Sequence, residues 1–123
     1  MQDDLTKRVD AWQRQLRKGV LEVAVLGLLR QRPRYGLELV VCLEPLGISS
    51  GSIYPLLARI RREGKAQSEW ISEGGGRPRK YYSLTPEGHR TCEAQLRAWV
   101  LFRDAFESIV EEQDDESGTA SHG

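Results

Sequence analysis

The 123-residue chain sets 18 Lys and Arg against 18 Asp and Glu, with 39% of its residues hydrophobic and 29% charged. This excludes a fully disordered chain and a uniformly basic coat for nucleic acid, and the length suits one domain with an appended element. The apolar run Val20–Leu29 contains Glu22 and is about half a membrane span, the opening Met-Gln-Asp-Asp is no signal peptide, and Cys42 and Cys92 form no disulfide framework, so a cytoplasmic protein away from membranes is expected.

Leu5, Val9, Trp12 and Leu16 recur at spacings of four, three and four, the stripe of an amphipathic helix whose first turn carries Asp3 and Asp4. A second helix is expected over 17–31, apolar nearly all round and broken by Pro33. A third runs from about Tyr35 to Leu43, where Cys42 reads as a core residue among its apolar neighbours. Ser49 is placed to cap a fourth helix that continues to Glu63 and stops at Gly64, with Ile53, Leu56, Leu57 and Ile60 on its inner face. Pro55 lies early in it, where a missing backbone donor costs least.

Ala66–Glu73 and Lys80–Leu84 read as two short strands around the loop Gly74-Gly75-Gly76-Arg77-Pro78-Arg79. Thr85-Pro86-Glu87 starts a last helix, expected to reach Glu112 with the stripe Cys92, Leu96, Trp99, Phe102, Phe106, Ile109 and Val110. The fold class is thus mostly α with a small β-hairpin. Residues 1–16 form an N-terminal amphipathic helix, 17–84 a winged helix-turn-helix, 85–112 a C-terminal dimerisation helix and 113–123 a disordered acidic tail.

Net neutrality hides a segregation: residues 31–90 hold ten Lys/Arg and six Asp/Glu, whereas 91–123 hold two and eight. The basic middle contains two helices joined by a short turn, an arrangement that delivers the second helix to the DNA major groove. Ser50, Ser52 and Tyr54 occupy its amino end, small and hydroxylic enough to approach bases and phosphates, with Arg59 further along the outer face. Arg77, Arg79 and Lys80 at the hairpin tip suit a phosphate track or a narrow minor groove.

Several motifs appear in the order found in one known family. Tyr35-Gly36-Leu37-Glu38-Leu39, Gly51-Ser52-Ile53-Tyr54-Pro55-Leu56-Leu57, Arg61-Arg62-Glu63-Gly64, Gly74 to Tyr82 and Leu84-Thr85-Pro86-Glu87-Gly88 together resemble the PadR family of bacterial transcriptional regulators, over about residues 16–112. The resemblance implies a winged helix-turn-helix homodimer that usually represses nearby genes and releases DNA on a signal. It implies DNA contacts from Tyr35, Ser52 and Tyr54 and wing contacts from Arg77, Arg79 and Lys80.

The last helix has one aromatic stripe and no further element in its own chain to cover it, so a homodimer on a palindromic operator is expected, with Leu5, Trp12, Leu96, Trp99, Phe102, Phe106 and Ile109 in the interface. Trp99 falls where some multidrug-responsive relatives stack planar aromatic ligands, so the resemblance offers a pocket for such an effector at the seam; the favoured reading of Trp99 is plain interface core. His89 and Cys92 share a helix face without a second pair to complete a metal site, and no nucleophile–base constellation or phosphate-binding glycine fingerprint appears. No metal, cofactor or enzymatic activity is therefore expected. The competing reading is a winged helix turned protein-interaction module without DNA, for which the basic wing has no use.

Overall fold

Pro33 ends the first helix, and the chain before it forms one element. In the computed structural model, which describes residues 2–118 and the side chains of residues 3–111, α1 runs unbroken over Gln2–Gln31. The two helices expected to meet near residue 16 are one, because Arg17-Lys18-Gly19 contains no proline and one interior glycine costs only ~1 kcal/mol relative to alanine. Its second half sends Val25, Leu26 and Leu29 into the core, while Leu5, Val9, Trp12 and Leu16 are exposed. Val20, Leu21, Val23, Ala24 and Leu28 are half-buried, so this segment is fully covered along one side rather than all round.

After Pro33 come β1 (Arg34–Tyr35), α2 (Gly36–Cys42), a 3-10 turn (Glu44–Leu46), α3 (Ser50–Arg62), β2 (Ala66–Ile71), β3 (Arg79–Leu84) and α4 (Pro86–Gly118). The strands form one antiparallel sheet in the order β1-β3-β2. Ala66 pairs with Leu84 and Ile71 with Arg79, while Arg34 pairs with Tyr82 and Tyr35 with Tyr81. The expected hairpin is therefore part of a three-stranded sheet, whose β1 is too short to show alternation in the sequence. β2 stops before Glu73 because the loop closes on itself: the Ser72 hydroxyl donates to the Gly76 carbonyl at 2.7 Å and Gly76 N–H to the Glu73 carbonyl at 3.2 Å. Gly74 and Gly75 turn there with φ of 62° and 73°, a region glycine enters without strain.

The chain divides into two compact units, Met1–Cys92 and Glu93–Gly123, so the division falls within α4. The first holds the core, in which Leu39, Ile53, Leu57, Ile60 and Cys92 are fully buried beside Leu43, Ala66, Tyr82 and Leu84. The inward residues of α3 follow the helical rhythm that the sequence predicts. Cys42 is a correction: it is exposed, because the short α2 turns Leu39 inward and leaves Leu37, Val41 and Cys42 outside. Thr85 caps α4 as expected, its hydroxyl accepting Gly88 N–H at 3.1 Å and donating to the Gly64 carbonyl at 2.6 Å.

In the second unit α4 runs past Glu112 to Gly118, into the stretch expected to be disordered, and residues 119–123 lie outside the described residues. Leu96 is half-buried, whereas Trp99, Phe102, Phe106 and Ile109 are exposed.

Candidate nucleic-acid interface

The turn between α2 and α3 is made by Gly47, whose φ of 74° reverses the chain after the 3-10 turn. Ser49 then takes the extended conformation of an N-cap, but its hydroxyl makes no cap bond. Its carbonyl does the work of starting the helix, accepting Ser52 and Ile53 N–H at 3.0 and 3.2 Å. Ser50 and Ser52 are exposed on the first turn and Tyr54 is 47% exposed one turn on. Pro55 lies beyond the first turn, so it has no N–H to give the Gly51 carbonyl, a larger perturbation than its expected position implied.

Tyr54 leans on the start of α2. A methyl group added at Gly36 would come within 2.5 Å of Tyr54 Cε1 and 2.8 Å of its hydroxyl oxygen. Only glycine leaves room for the ring there, which gives the Tyr35-Gly36 pair a steric reason.

Tyr35, the neighbour of Gly36, holds the wing. Its ring meets Tyr81 edge-on, with centroids 5.3 Å apart and planes at 76°. The Arg79 guanidinium carbon lies 4.5 Å from the Tyr35 centroid. Tyr35 N–H donates to the Glu38 carboxylate at 3.2 Å, fixing the entry into α2. On the other face of the sheet Lys80 Nζ lies 5.7 Å from the Tyr82 ring centroid and 6.0 Å from that of Trp70. Trp70 is 68% exposed, which its character as a strand former does not predict. Arg77 is exposed in the loop. Tyr81 donates to Glu73 at 3.5 Å; burial and the nearby Glu73 and Glu38 carboxylates push its hydroxyl pKa up.

Arg59, expected to contact DNA, makes ion pairs within the chain. Its guanidinium donates to Glu22 at 3.0 Å and to Glu63 at 3.2 Å, and Lys65 Nζ bridges the same two carboxylates at 2.9 Å each. This network ties α3 and the segment before β2 to α1. Hydrogen bonding to Glu22 holds both cations above their ordinary pKa, and the bond from Lys65 holds Glu63 below its own. The signal was in the sequence: Glu22 is the single charge within Val20–Leu29. A buried Arg34 makes the companion tie, donating to the Leu28 carbonyl at 3.0 Å, to Gln31 at 2.6 Å and to Cys42 Sγ at 3.5 Å.

A helix-turn-helix followed by a hairpin with a basic tip defines the winged helix-turn-helix class. The sequence profile of the transcriptional regulator PadR-like family matches residues 25–94. A PadR family transcriptional regulator from Eggerthella lenta DSM 2243 is 34% identical with a TM-score of 0.74, covering 88% of this chain and 96% of its own. A PadR-like transcriptional regulator from Bacillus cereus strain ATCC 14579 is 33% identical, also at 0.74, covering 79% and 97%. The chain belongs to the PadR-like family of transcriptional regulators and is not an enzyme. Bacillus subtilis PadR, solved in complex with operator DNA, is 29% identical with a TM-score of 0.57 over 63% of this chain and 45% of that one. No curated protein matches the chain. Among the described residues no helix is long and apolar enough to cross a membrane.

Proposed function

We propose that this PadR-like regulator is a cytoplasmic, ligand- or stress-responsive repressor that binds a palindromic operator as a homodimer. The observation that carries the reading is the Tyr35-Gly36 pair. One residue holds Arg79 of the wing and the next seats Tyr54 of α3, so the two DNA-reaching elements are fixed to one point of the backbone. Ser50, Ser52 and Tyr54 reach base edges and phosphates in the major groove, and Arg77, Arg79 and Lys80, with Tyr35 behind them, follow the backbone beside it. Arg59 braces α3 on α1. The operator complex of Bacillus subtilis PadR supports the same use of the fold.

The second copy covers the apolar stripes. Trp12 is 58% exposed on α1, and Phe102 and Ile109 are each 67% exposed on α4. Such surface calls for a partner, and at ~25 cal/mol per Å2 each buried aromatic contributes several kcal/mol. Leu5, Leu96, Trp99 and Phe106 belong to the same interface, and Trp99 offers a planar aromatic effector a stacking face at the seam.

Salt dependence tests the reading. Binding to duplex DNA weakens steeply as salt rises because phosphate contacts release counterions, whereas a protein-interaction module associating through apolar surface shows a flat response.

A further inference from the structure

The amino-terminal part of α1, through Lys18, carries a basic side as well as its apolar stripe. At 3.6 residues per turn, Arg14, Arg17 and Lys18 fall on the side opposite the stripe of Leu5, Val9, Trp12 and Leu16. That basic side lines an open groove of about 660 Å3 whose far wall is the turn into α3, including Gly47, Ser49 and Ser52. Arg17 reaches across it: a methyl group added at Gly47 would lie 3.3 Å from its guanidinium nitrogen. The groove is lined by three cations and no acid. None of the three has an acidic partner among the described residues, in contrast to Arg59 and Lys65, which Glu22 and Glu63 neutralise. Three unpaired cations facing serine hydroxyls at the positive end of α3 suit a phosphate.

We propose that this groove binds phosphate, and that in the complex it takes a backbone phosphate of the DNA flanking the bases reached by α3. The inference rests on the proposed DNA reading, because Ser52 belongs both to the groove and to the amino end of the recognition helix. It adds α1 to the interface through residues that precede the segment matched by the family profile, 25–94. Phosphate contacts position a protein without reading sequence. The groove therefore contributes affinity and register, equally on any duplex.

The test uses the full chain with Arg14→Gln, Arg17→Gln and Lys18→Gln together, titrated with the duplex upstream of its own gene and with a scrambled duplex over a range of salt. The expected result is a plot of log affinity against log salt shallower by about one to two and binding weaker by roughly tenfold or more at 0.1 M on both duplexes, with their ratio unchanged. Since Arg17 packs on Gly47, the variant with only Arg14→Gln and Lys18→Gln gives a smaller change in the same direction without that contact being lost. Replacing Arg14 and Arg17 by Lys retains most of the slope. An unchanged slope on both duplexes overturns the proposal. So does binding of inorganic phosphate at fixed ionic strength that the triple variant loses while its DNA affinity stays intact, which makes the groove a site for a free phosphorylated ligand. If the wild-type chain shows no preference between duplexes, the specific-regulator reading fails, while the slope on scrambled DNA still decides the groove.

Discussion

Gly36 and Tyr54 are in contact across the helix-turn-helix so closely that a single added methyl group would overlap the ring. The ring is half exposed and can swing outward, so Gly36→Ala disturbs the position of Tyr54 more than it disturbs the core. The expected outcome is a thermal midpoint lowered by no more than the equivalent of ~1 kcal/mol and a DNA affinity reduced by roughly tenfold. Gly36→Ala on a Tyr54→Ala background then has little further effect on DNA binding, because residues in contact are not additive. Full additivity in that cycle contradicts the role given to the contact.

The two wing arginines differ in what they touch. Arg77 is exposed in the loop, whereas Arg79 stacks on Tyr35. Arg77→Ala reduces the salt slope of DNA binding by about one and leaves stability unchanged. Arg79→Ala does the same to the slope and also costs stability of about 0.5–1 kcal/mol through the lost stacking. Salt titration and thermal unfolding of the two variants check both halves.

Glu22 anchors α3 through Arg59 and the segment before β2 through Lys65, so Glu22→Gln leaves two cations sharing only Glu63. All of these groups are partly solvated, so the expected loss is about 1 kcal/mol rather than the several of a buried pair. Glu63 has its folded pKa lowered, so its contribution is present above its unfolded pKa and lost as the pH falls through the folded value. Lys65 has its folded pKa raised, so its contribution is present below its unfolded pKa and lost as the pH rises through the folded value. Thermal midpoints fall at both the acid and the alkaline end, and in Glu22→Gln the alkaline fall is shallower.

Elements with strong local periodicity were legible in the sequence: the inner face of α3, the stripe of α4 and the start at Thr85-Pro86 all lie where spacing and capping chemistry put them. What escaped depended on contacts between distant segments. β1 exists because Tyr35 pairs with Tyr81, and two residues carry no pattern of their own. Arg59 pairs with Glu22 from another helix, a contact that the pattern of its own helix does not signal. The composition changes near residue 16, yet nothing there breaks a helix. The exposure of Cys42 followed from the shortness of α2, which its apolar neighbours concealed.

The exposed stripe of α4 predicts self-association. Sedimentation of the wild-type chain at micromolar concentration gives a dimer, and Phe102→Asp with Phe106→Asp gives a monomer, because two carboxylates cannot be desolvated in an apolar seam. The monomeric variant loses affinity for a two-half-site duplex far more than for a single half-site. In a chain retaining Trp99 alone of its three tryptophans, a planar aromatic dye is expected to quench the fluorescence; unchanged emission contradicts the proposed effector site at Trp99.

Specific operator recognition is tested most directly by comparing the affinity of the full chain for the duplex upstream of its own gene with that for a scrambled duplex at physiological salt. A preference of ~1000-fold or more, the low end for specific sites, is the predicted result. Equal and weak affinity for both would contradict it.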